Sequence, residues 1–155
     1  MKNGGRVTSR NQKIIPIDRT SPTYDSVWKI EEEDERSSVL TKIDLMEVRP
    51  RFSLKRRESV ISGEEKLSRL KAKGFIRLDA QIFLTLWNRQ DLIPEAWKQL
   101  TGGKTTKLSF DGTVFSGKDG QRFVICLYWE NGKWEYCPRL LSHSHRVNDK
   151  SLVLL

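Results

Sequence analysis

The clearest pattern along the chain is an alternation of apolar and polar residues on both sides of Asn131-Gly132. Asn-Gly favours a type I′ turn, in which both central residues take a positive φ, and this predicts a β-hairpin across residues 123–137. The turn fixes the register so that Cys126 faces Cys137. Because side chains alternate between the two faces of a strand, one face of the hairpin is predicted to be apolar. That face carries Phe123, Ile125, Leu127, Trp129, Trp134 and Tyr136.

A helical pattern precedes the hairpin. Ser62-Gly-Glu-Glu65 is a capping-box sequence, and Gly74 is placed to end the helix that it begins. Asp79 is placed as the N-cap of a second helix over residues 80–90, in which apolar residues recur at helical spacing. Pro94 is typical of the first position of a short helical turn. We therefore expect two helices and a shorter third one.

Further strands are expected around the hairpin. Residues 107–115 form a strand, and Asp119-Gly120 is placed as the turn that leads from it into the hairpin. In that register Val114 joins the apolar face. Gly112 falls opposite a bulky residue, where its missing side chain indicates a bulge or a close contact. Residues 151–155 are expected to return to the sheet edge as a fourth strand.

Residues 1–61 differ in composition from the rest of the chain. They hold an acidic run at residues 31–35 and a basic run that ends at residue 57. Their apolar residues occur in short islands, which predicts a flexible N-terminal arm with weak local structure. The expected fold class is therefore α+β. Two or three short helices would pack on one face of a three- to four-stranded antiparallel meander over residues 62–155, with a poorly ordered N-terminal arm.

Charge and cysteine content narrow the class of protein. The chain has 28 Lys and Arg against 20 Asp and Glu, a net charge of +8, spread along its length. Such a surplus suits nucleic acid or an anionic surface, but it is also common in soluble proteins. Two cysteines are too few for a disulfide scaffold, and no apolar run approaches the about 18 residues of a membrane span. We expect a cytoplasmic protein with no membrane partner.

A set of turn and core residues carries a resemblance to a family: Ser62-Gly-Glu-Glu65, Ile93-Pro-Glu95 with Trp97-Lys98, Phe110-Asp-Gly-Thr-Val114, Leu127-Tyr-Trp129, Trp134 and Leu140-Leu141. On these residues, and over about residues 52–155, the chain resembles small hypothetical proteins of uncultivated candidate-phylum bacteria. The resemblance implies the domain boundary near residue 62 and a bacterial cytosolic setting. No activity is assigned to that family, so the resemblance implies no chemistry.

Two thiols and two imidazoles near the C-terminus form a candidate metal site: Cys126, Cys137, His143 and His145. Facing positions in a hairpin lie about 5.5 Å apart at Cα, so both thiolates could reach one Zn²⁺. The spacing, however, matches no zinc-finger pattern, and we expect no cofactor and two free thiols. Residues 142–149 contain the residue types of a hydrolase but not a triad arranged by the fold, and we expect no enzyme.

Binding to another protein is the function that the remaining residues favour. The chain has five tryptophans, and Trp28 and Trp97 have no evident core position. Trp is favoured at interaction hot spots, so both are candidate partner-binding residues, together with Tyr128 on the second face of the hairpin. Trp28 could equally insert into a groove of its own domain. The sequence predicts a non-catalytic binding or accessory module whose partner is a protein.

A basic segment at residues 49–57 supplies the alternative function. It interleaves five cations with one aromatic side chain, which suits phosphate neutralisation and base stacking, although a solvated basic linker is the simpler interpretation. The order of helices and hairpin also mimics a winged helix-turn-helix. The candidate nucleic-acid-binding residues are Arg49, Arg51, Phe52, Lys55, Arg56 and Arg57.

Overall fold

The computed structural model describes residues 12–20 and 27–155. These ranges form twelve strands and three short helices, with eight of the strands in one mixed sheet. The strands are β1 (Ile14–Pro16), β2 (Lys29–Glu33), β3 (Lys42–Asp44), β4 (Arg49–Arg51), β5 (Val60–Ser62), β6 (Ile76–Arg77), β7 (Lys107–Ser109), β8 (Thr113–Ser116), β9 (Arg122–Glu130), β10 (Lys133–Leu140), β11 (Ser144–Arg146) and β12 (Asp149–Leu154). The helices are α1 (Glu35–Ser38), α2 (Gly63–Ala72) and α3 (Ala80–Asn88).

The predicted fold class is wrong. The sheet has eight strands instead of three or four, and one of its strand pairs is parallel. Its strands follow the order β2–β8–β9–β7–β12–β4, with β10 also paired to β9 and β6 also paired to β12. β12 runs parallel to β7 and antiparallel to β4. The C-terminal strand was expected at the sheet edge but lies inside the sheet. The remaining strands form two ribbons, β1 with β3 and β5 with β11.

The predicted hairpin is confirmed. Asn131 has a φ of 54° and Gly132 a φ of 77°, as a type I′ turn requires. β9 and β10 pair in the expected register, including Trp129 with Trp134 and Cys126 with Cys137. The register of the hairpin is therefore the one that its Asn131-Gly132 turn requires.

The register predicted for the preceding strand is wrong. Phe115 pairs with Phe123, so Val114 points to the opposite face from the one expected. The loop at residues 117–121 differs by one residue from the expected turn, and a shift of one residue transfers every side chain to the other face. Leu108 pairs with Leu127 and does lie on the apolar face.

Gly112 lies in the turn between β7 and β8, so its predicted position opposite a bulky side chain is wrong, although it does make a close contact. Its neighbour is backbone, since a Cβ at this position would overlap the carbonyl oxygen of Arg77 and lie 2.6 Å from the carbonyl carbon of Leu78. The Gly112 N–H donates to the Leu78 oxygen at 2.8 Å. Only a residue without a side chain allows the turn to approach this closely.

The two predicted helices are present with their predicted caps. Ser62 Oγ accepts from the Glu65 N–H at 3.0 Å, and Asp79 caps the first turn of α3. The helices were expected on one face of the sheet, and this is wrong. α3 packs with the aromatic residues, whereas Leu67 of α2 packs with Val114 on the opposite face.

The prediction of a poorly ordered N-terminal arm is wrong for the described residues before Ser62. They contribute β1 to β4 and most of β5, and β2 and β4 belong to the main sheet. Polar side chains anchor them: Arg19 Nη1 and Ser37 Oγ donate to the buried Asp79 carboxylate at 3.0 and 2.7 Å. Residues 1–11 and 21–26 of the predicted arm lie outside the described residues. Anchors of this kind leave no periodic signal in a sequence.

Both faces of the sheet are covered. We call one the aromatic face, and it is covered by α3. The other is the polar face, covered by α2. The aromatic face carries Phe110, Phe115, Phe123, Ile125, Leu127 and Trp134. The polar face carries Ser109, Asp111, Cys126, Asp149 and Ser151, all of them buried.

Candidate binding groove

A groove of about 600 Å³ opens where the aromatic face extends beyond α3. Residues 45–50 form one wall and residues 94–102 form the other. Its floor contains Leu108 and Lys150, which pair across β7 and β12. The apolar residues that line it are Leu45, Met46, Val48, Pro50, Pro94, Ala96, Trp97, Leu100 and Leu108.

Short helical turns shape both walls. Asp44 Oδ1 accepts from the Met46 N–H at 3.0 Å and begins a 3-10 turn over Leu45–Glu47. Leu45 is buried beneath this turn, while Met46 stays 41% exposed. The first wall therefore presents a large apolar side chain to solvent.

The second wall begins at Pro94, which starts a 3-10 turn over Glu95–Lys98. This turn buries Trp97 and leads to Leu100, which is 61% exposed. Thr106 Oγ1 donates to the Gln99 oxygen at 2.6 Å and holds the end of the segment against the sheet. Leu100 and Met46 thus present apolar surface from the two walls of one groove.

The charged residues among the described groove lining are both cations. Arg49 and Lys150 are among the residues that line the groove, and none of the described lining residues is an Asp or Glu. Arg49 Nη1 donates to the backbone oxygens of Met46 and Val48 at 2.7 and 3.1 Å, which fixes its guanidinium at the rim. Groups that are apolar and carry a carboxylate therefore fit this groove best.

The three predicted partner-binding residues lie in different places. Trp97 lines the groove with its side chain almost fully buried. Trp28 packs inside the domain, with its ring centroid 5.5 Å from that of Phe115 and 4.9 Å from that of Phe123. Tyr128 lies outside the groove lining, with Lys107 Nζ 5.6 Å from its ring centroid.

The six predicted nucleic-acid-binding residues run from the strand β4 into the loop that follows it. Arg49 is at the groove and Arg51 pairs with β12 in the sheet. Phe52 is half-buried, and the other three lie exposed on the loop that follows. The carboxylate of Glu58 at the end of that loop is bonded to Arg69 at 2.7 Å. The three loop cations are Lys55, Arg56 and Arg57.

The predicted metal ligands are not brought together. His145 is buried and its Nε2 bonds the Leu140 oxygen at 3.1 Å, whereas His143 is exposed. Within residues 12–20 and 27–155, no group of three or more His, Cys, Asp or Glu side chains is placed to hold a metal ion. The two thiols are free and face each other across β9 and β10.

The thiols have opposite pKa shifts. A hydrogen bond from Cys126 lowers the pKa of Cys137 to about 6, with Lys107 and Arg139 contributing and burial opposing. Cys126 is deeply buried, and its bond to Cys137 and its burial raise its pKa. Both shifts favour the negative charge on Cys137 rather than on Cys126.

A buried polar cluster on the polar face was not predicted. Lys66 Nζ lies 3.4 Å from Ser109 Oγ and from the Asp149 backbone oxygen, and burial lowers the pKa of this amine. Ser109 is linked to Ser151, whose hydroxyl donates to Asp111 at 2.6 Å. Lys66 lies on the buried side of α2 with Leu67 and Leu70. Its place on the same side of the helix as these leucines was the one sequence signal that could have predicted its burial.

The groove residues Met46, Leu100 and Lys150 were also not singled out from the sequence. Scans of protein-family models, curated proteins and solved structures found no match to this chain. Among the described residues, no helix is long and apolar enough to cross a membrane.

Proposed function

We propose that the protein is a non-catalytic binding module that takes an apolar, acidic segment of a partner protein into the groove. The observation that supports this is an apolar groove of about 600 Å³ whose only lining charges, among the described residues, are Arg49 and Lys150. Its volume falls within the about 300–1,000 Å³ of typical ligand sites. Two free cysteines support the proposal that the protein works in a bacterial cytoplasm.

The exposed side chains at the groove favour a protein segment as the ligand. Met46 and Leu100 leave apolar surface uncovered on both walls. Neighbouring exposed apolar side chains commonly mark a surface that another molecule covers. Pro50 brings no N–H to the edge strand β4, so recognition there rests on side chains rather than on addition of a strand.

Burial of the titratable groups supports a non-catalytic role. Lys66 is 2% exposed and Asp111 is fully buried, and α2 covers both. A substrate would reach these groups only if α2 left the sheet. The cluster therefore serves the packing of α2, and binding is proposed for the groove instead.

Labelled peptides test the proposal directly. Eight-residue peptides of Leu and Phe with either Asp and Glu or Lys would be titrated while their fluorescence anisotropy is measured. We expect the acidic peptides to bind at least about tenfold more tightly than the lysine peptides, because of the two groove cations. Replacing both cations, as Arg49→Gln with Lys150→Gln, is expected to remove that preference.

A matched pair of variants tests the location. Leu100→Gln removes apolar area from the groove and is expected to weaken acidic-peptide binding about tenfold. Val39→Gln is the control, since Val39 is 73% exposed and does not line the groove. Equal loss in the two variants, or no binding of either peptide at millimolar concentration, contradicts the proposal.

Nucleic-acid binding remains the second proposed function, and one observation favours it. The loop cations Lys55, Arg56 and Arg57 are all exposed, and Glu58, which also interacts electrostatically with Lys55, is ion-paired with Arg69 at 2.7 Å. A heparin column and a single-stranded DNA titration at several salt concentrations test it. We expect affinity to fall steeply with salt in the wild type and weakly in a variant with all three cations changed to Gln. No retention at low salt contradicts it.

A further inference from the structure

The two cysteines of the chain are arranged to react with each other. β9 and β10 hold Cys126 and Cys137 directly opposite, with both side chains toward the polar face. Paired Cα atoms in antiparallel strands lie about 5.5 Å apart, within the about 4.4–6.8 Å that disulfides span. A bond between the two sulfurs therefore needs no change of register.

The two thiols differ in access and in electrostatic surroundings. Cys126 is fully buried between β7 and β10, whereas Cys137 is half-buried on β10, whose other edge pairs with no described strand. Lys107 and Arg139 stabilise negative charge at Cys137, and the bond from Cys126 adds to their effect. An accessible thiolate beside a second thiol is the arrangement found in redox-sensing proteins.

We propose that Cys137 and Cys126 are a hydroperoxide-responsive thiol pair, in which Cys137 attacks the oxidant and Cys126 resolves the product. The Cys137 thiolate attacks one oxygen of hydrogen peroxide, the O–O bond breaks, and hydroxide leaves. Cys137 is then a sulfenic acid. The Cys126 sulfur attacks the Cys137 sulfur, the S–O bond breaks, and water leaves with the Cys126 proton. Two thiols are oxidised to one disulfide and one peroxide is reduced.

The position in the hairpin makes the bond easy to reduce again. Counting from the two-residue turn, Cys126 and Cys137 form a hydrogen-bonded pair, whose Cβ atoms are about 4.5–5.5 Å apart. A disulfide prefers about 3.8 Å between Cβ atoms, so it would pull the strands together. Strained disulfides are the readily reduced ones. The modification is therefore expected to be reversible by mild thiol reductants.

Mass spectrometry of the wild-type full chain is the first test. After a brief treatment with hydrogen peroxide, we expect loss of both alkylatable thiols and a mass lower by two hydrogens. Trypsin should release residues 123–133 joined to residues 134–139, because cleavage follows Arg122, Lys133 and Arg139. Dithiothreitol is expected to restore both thiols.

Two variants separate the roles of the cysteines. In Cys126→Ala the Cys137 sulfenic acid has no resolving thiol, and dimedone is expected to trap it. In Cys137→Ser the remaining thiol is buried, and its reaction with peroxide is expected to be at least about tenfold slower. Iodoacetamide labelling of unoxidised wild type checks the same order without a variant, since Cys137 should react first.

Three results overturn the proposal. One is a bond between two chains, seen as a dimer on a non-reducing gel. Another is oxidation of Cys137 to sulfinic acid with Cys126 still alkylatable. The third is no change in either thiol at a peroxide excess that oxidises free cysteine.

Discussion

On the aromatic face, the side chains that cover the sheet are hydrocarbon, whereas on the polar face they include an amine, carboxylates and hydroxyls. Phe83 of α3 packs its ring 5.5 Å from that of Phe110. On the other side, α2 inserts Lys66 between Ser109 and Asp149. Both faces contain buried side chains. Apolar packing stabilises the aromatic face, whereas hydrogen bonds and charge interactions between individual side chains also stabilise the polar face.

The two faces are stabilised by different physical quantities. Hydrophobic packing is non-directional and follows the area removed from water. A buried polar group instead depends on its individual bonds, because an unsatisfied one retains its desolvation cost. The polar face also contains atoms without a partner among the described residues, namely Asp111 Oδ1 and His145 Nδ1. Its stability should therefore respond to pairing and pH, and that of the aromatic face to volume.

The largest expected effect comes from adjacent residues that point to opposite faces. Phe115→Ala on the aromatic face should lower the free energy of unfolding by about 3–5 kcal/mol, because it leaves a large cavity beside Trp28 and Phe123. Val114→Ala removes less volume from the polar face and should cost about 2 kcal/mol. Urea unfolding followed by circular dichroism measures both. Equal losses would contradict the assignment of the two residues to different environments.

The next effect is a pH dependence that belongs to the polar face. Burial lowers the pKa of His145 to about 4, with Lys66 and Arg139 adding to the shift while Asp149 and the Leu140 oxygen oppose it. In the unfolded chain the pKa is about 6.5, so the unfolded state binds more protons between these values. The stabilisation is complete above pH 6.5 and is lost as the pH falls toward 4, a change of about 3 kcal/mol.

Unfolding free energies from pH 4.5 to 7.5 check this expectation. Carboxylates with a lowered pKa, such as Asp34 and Asp149, lose their contribution below this window, and Cys137, whose pKa is lowered to about 6, adds stability only above pH 6. The slope between pH 4.5 and 6 therefore reports mainly on the histidine, with Glu33, whose pKa burial raises, opposing it. His145→Gln keeps an amide donor near the Leu140 oxygen without titrating, and it should flatten the slope. An unchanged slope in that variant would show that another group controls the transition.

The two faces also differ in how far the sequence predicted them. The hairpin, both main helices and their caps depend on residues a few positions apart, such as Asn131-Gly132 and Ser62 with Glu65, and their predictions are confirmed. The side of the sheet that Val114 faces depends on the length of one loop, and its prediction is wrong. Turns and helix caps can be predicted because they depend on neighbouring residues. The face of a strand is harder to predict, because an error of one residue in loop length moves every side chain of that strand to the other side of the sheet.

The strands before Ser62 and the groove could not be predicted from the sequence, and each has its own reason. β2 to β5 have three to five residues each, too few for a periodic pattern, and they are held by anchors such as Asp34 and Asp79. The groove joins residues 45–50 to residues 94–102, and only the tertiary fold brings them together. The sequence places Lys66 on its helix but does not show that it is buried, because a lysine side chain is rarely buried without a strong partner.

The smallest expected effect isolates the pairing on the polar face. Ser151→Ala removes the hydroxyl that donates to Asp111 Oδ2 at 2.6 Å, and it should cost about 1–3 kcal/mol. The side-chain volume changes little, so a cavity explains only a small part of that cost. Asp111→Ala alone should cost more, because it also removes the carboxylate that favours the charged form of the buried Lys66.

The double variant decides whether the partners act as a pair. If the bond between them carries the effect, Ser151→Ala with Asp111→Ala should cost less than the sum of the single changes by about 0.5–3 kcal/mol. Leu67→Ala with Phe115→Ala is the comparison across the sheet, since these side chains belong to separate apolar clusters and their costs should add. Additive costs in both pairs would mean that Ser151 and Asp111 act independently, which would contradict a polar face held by specific pairing.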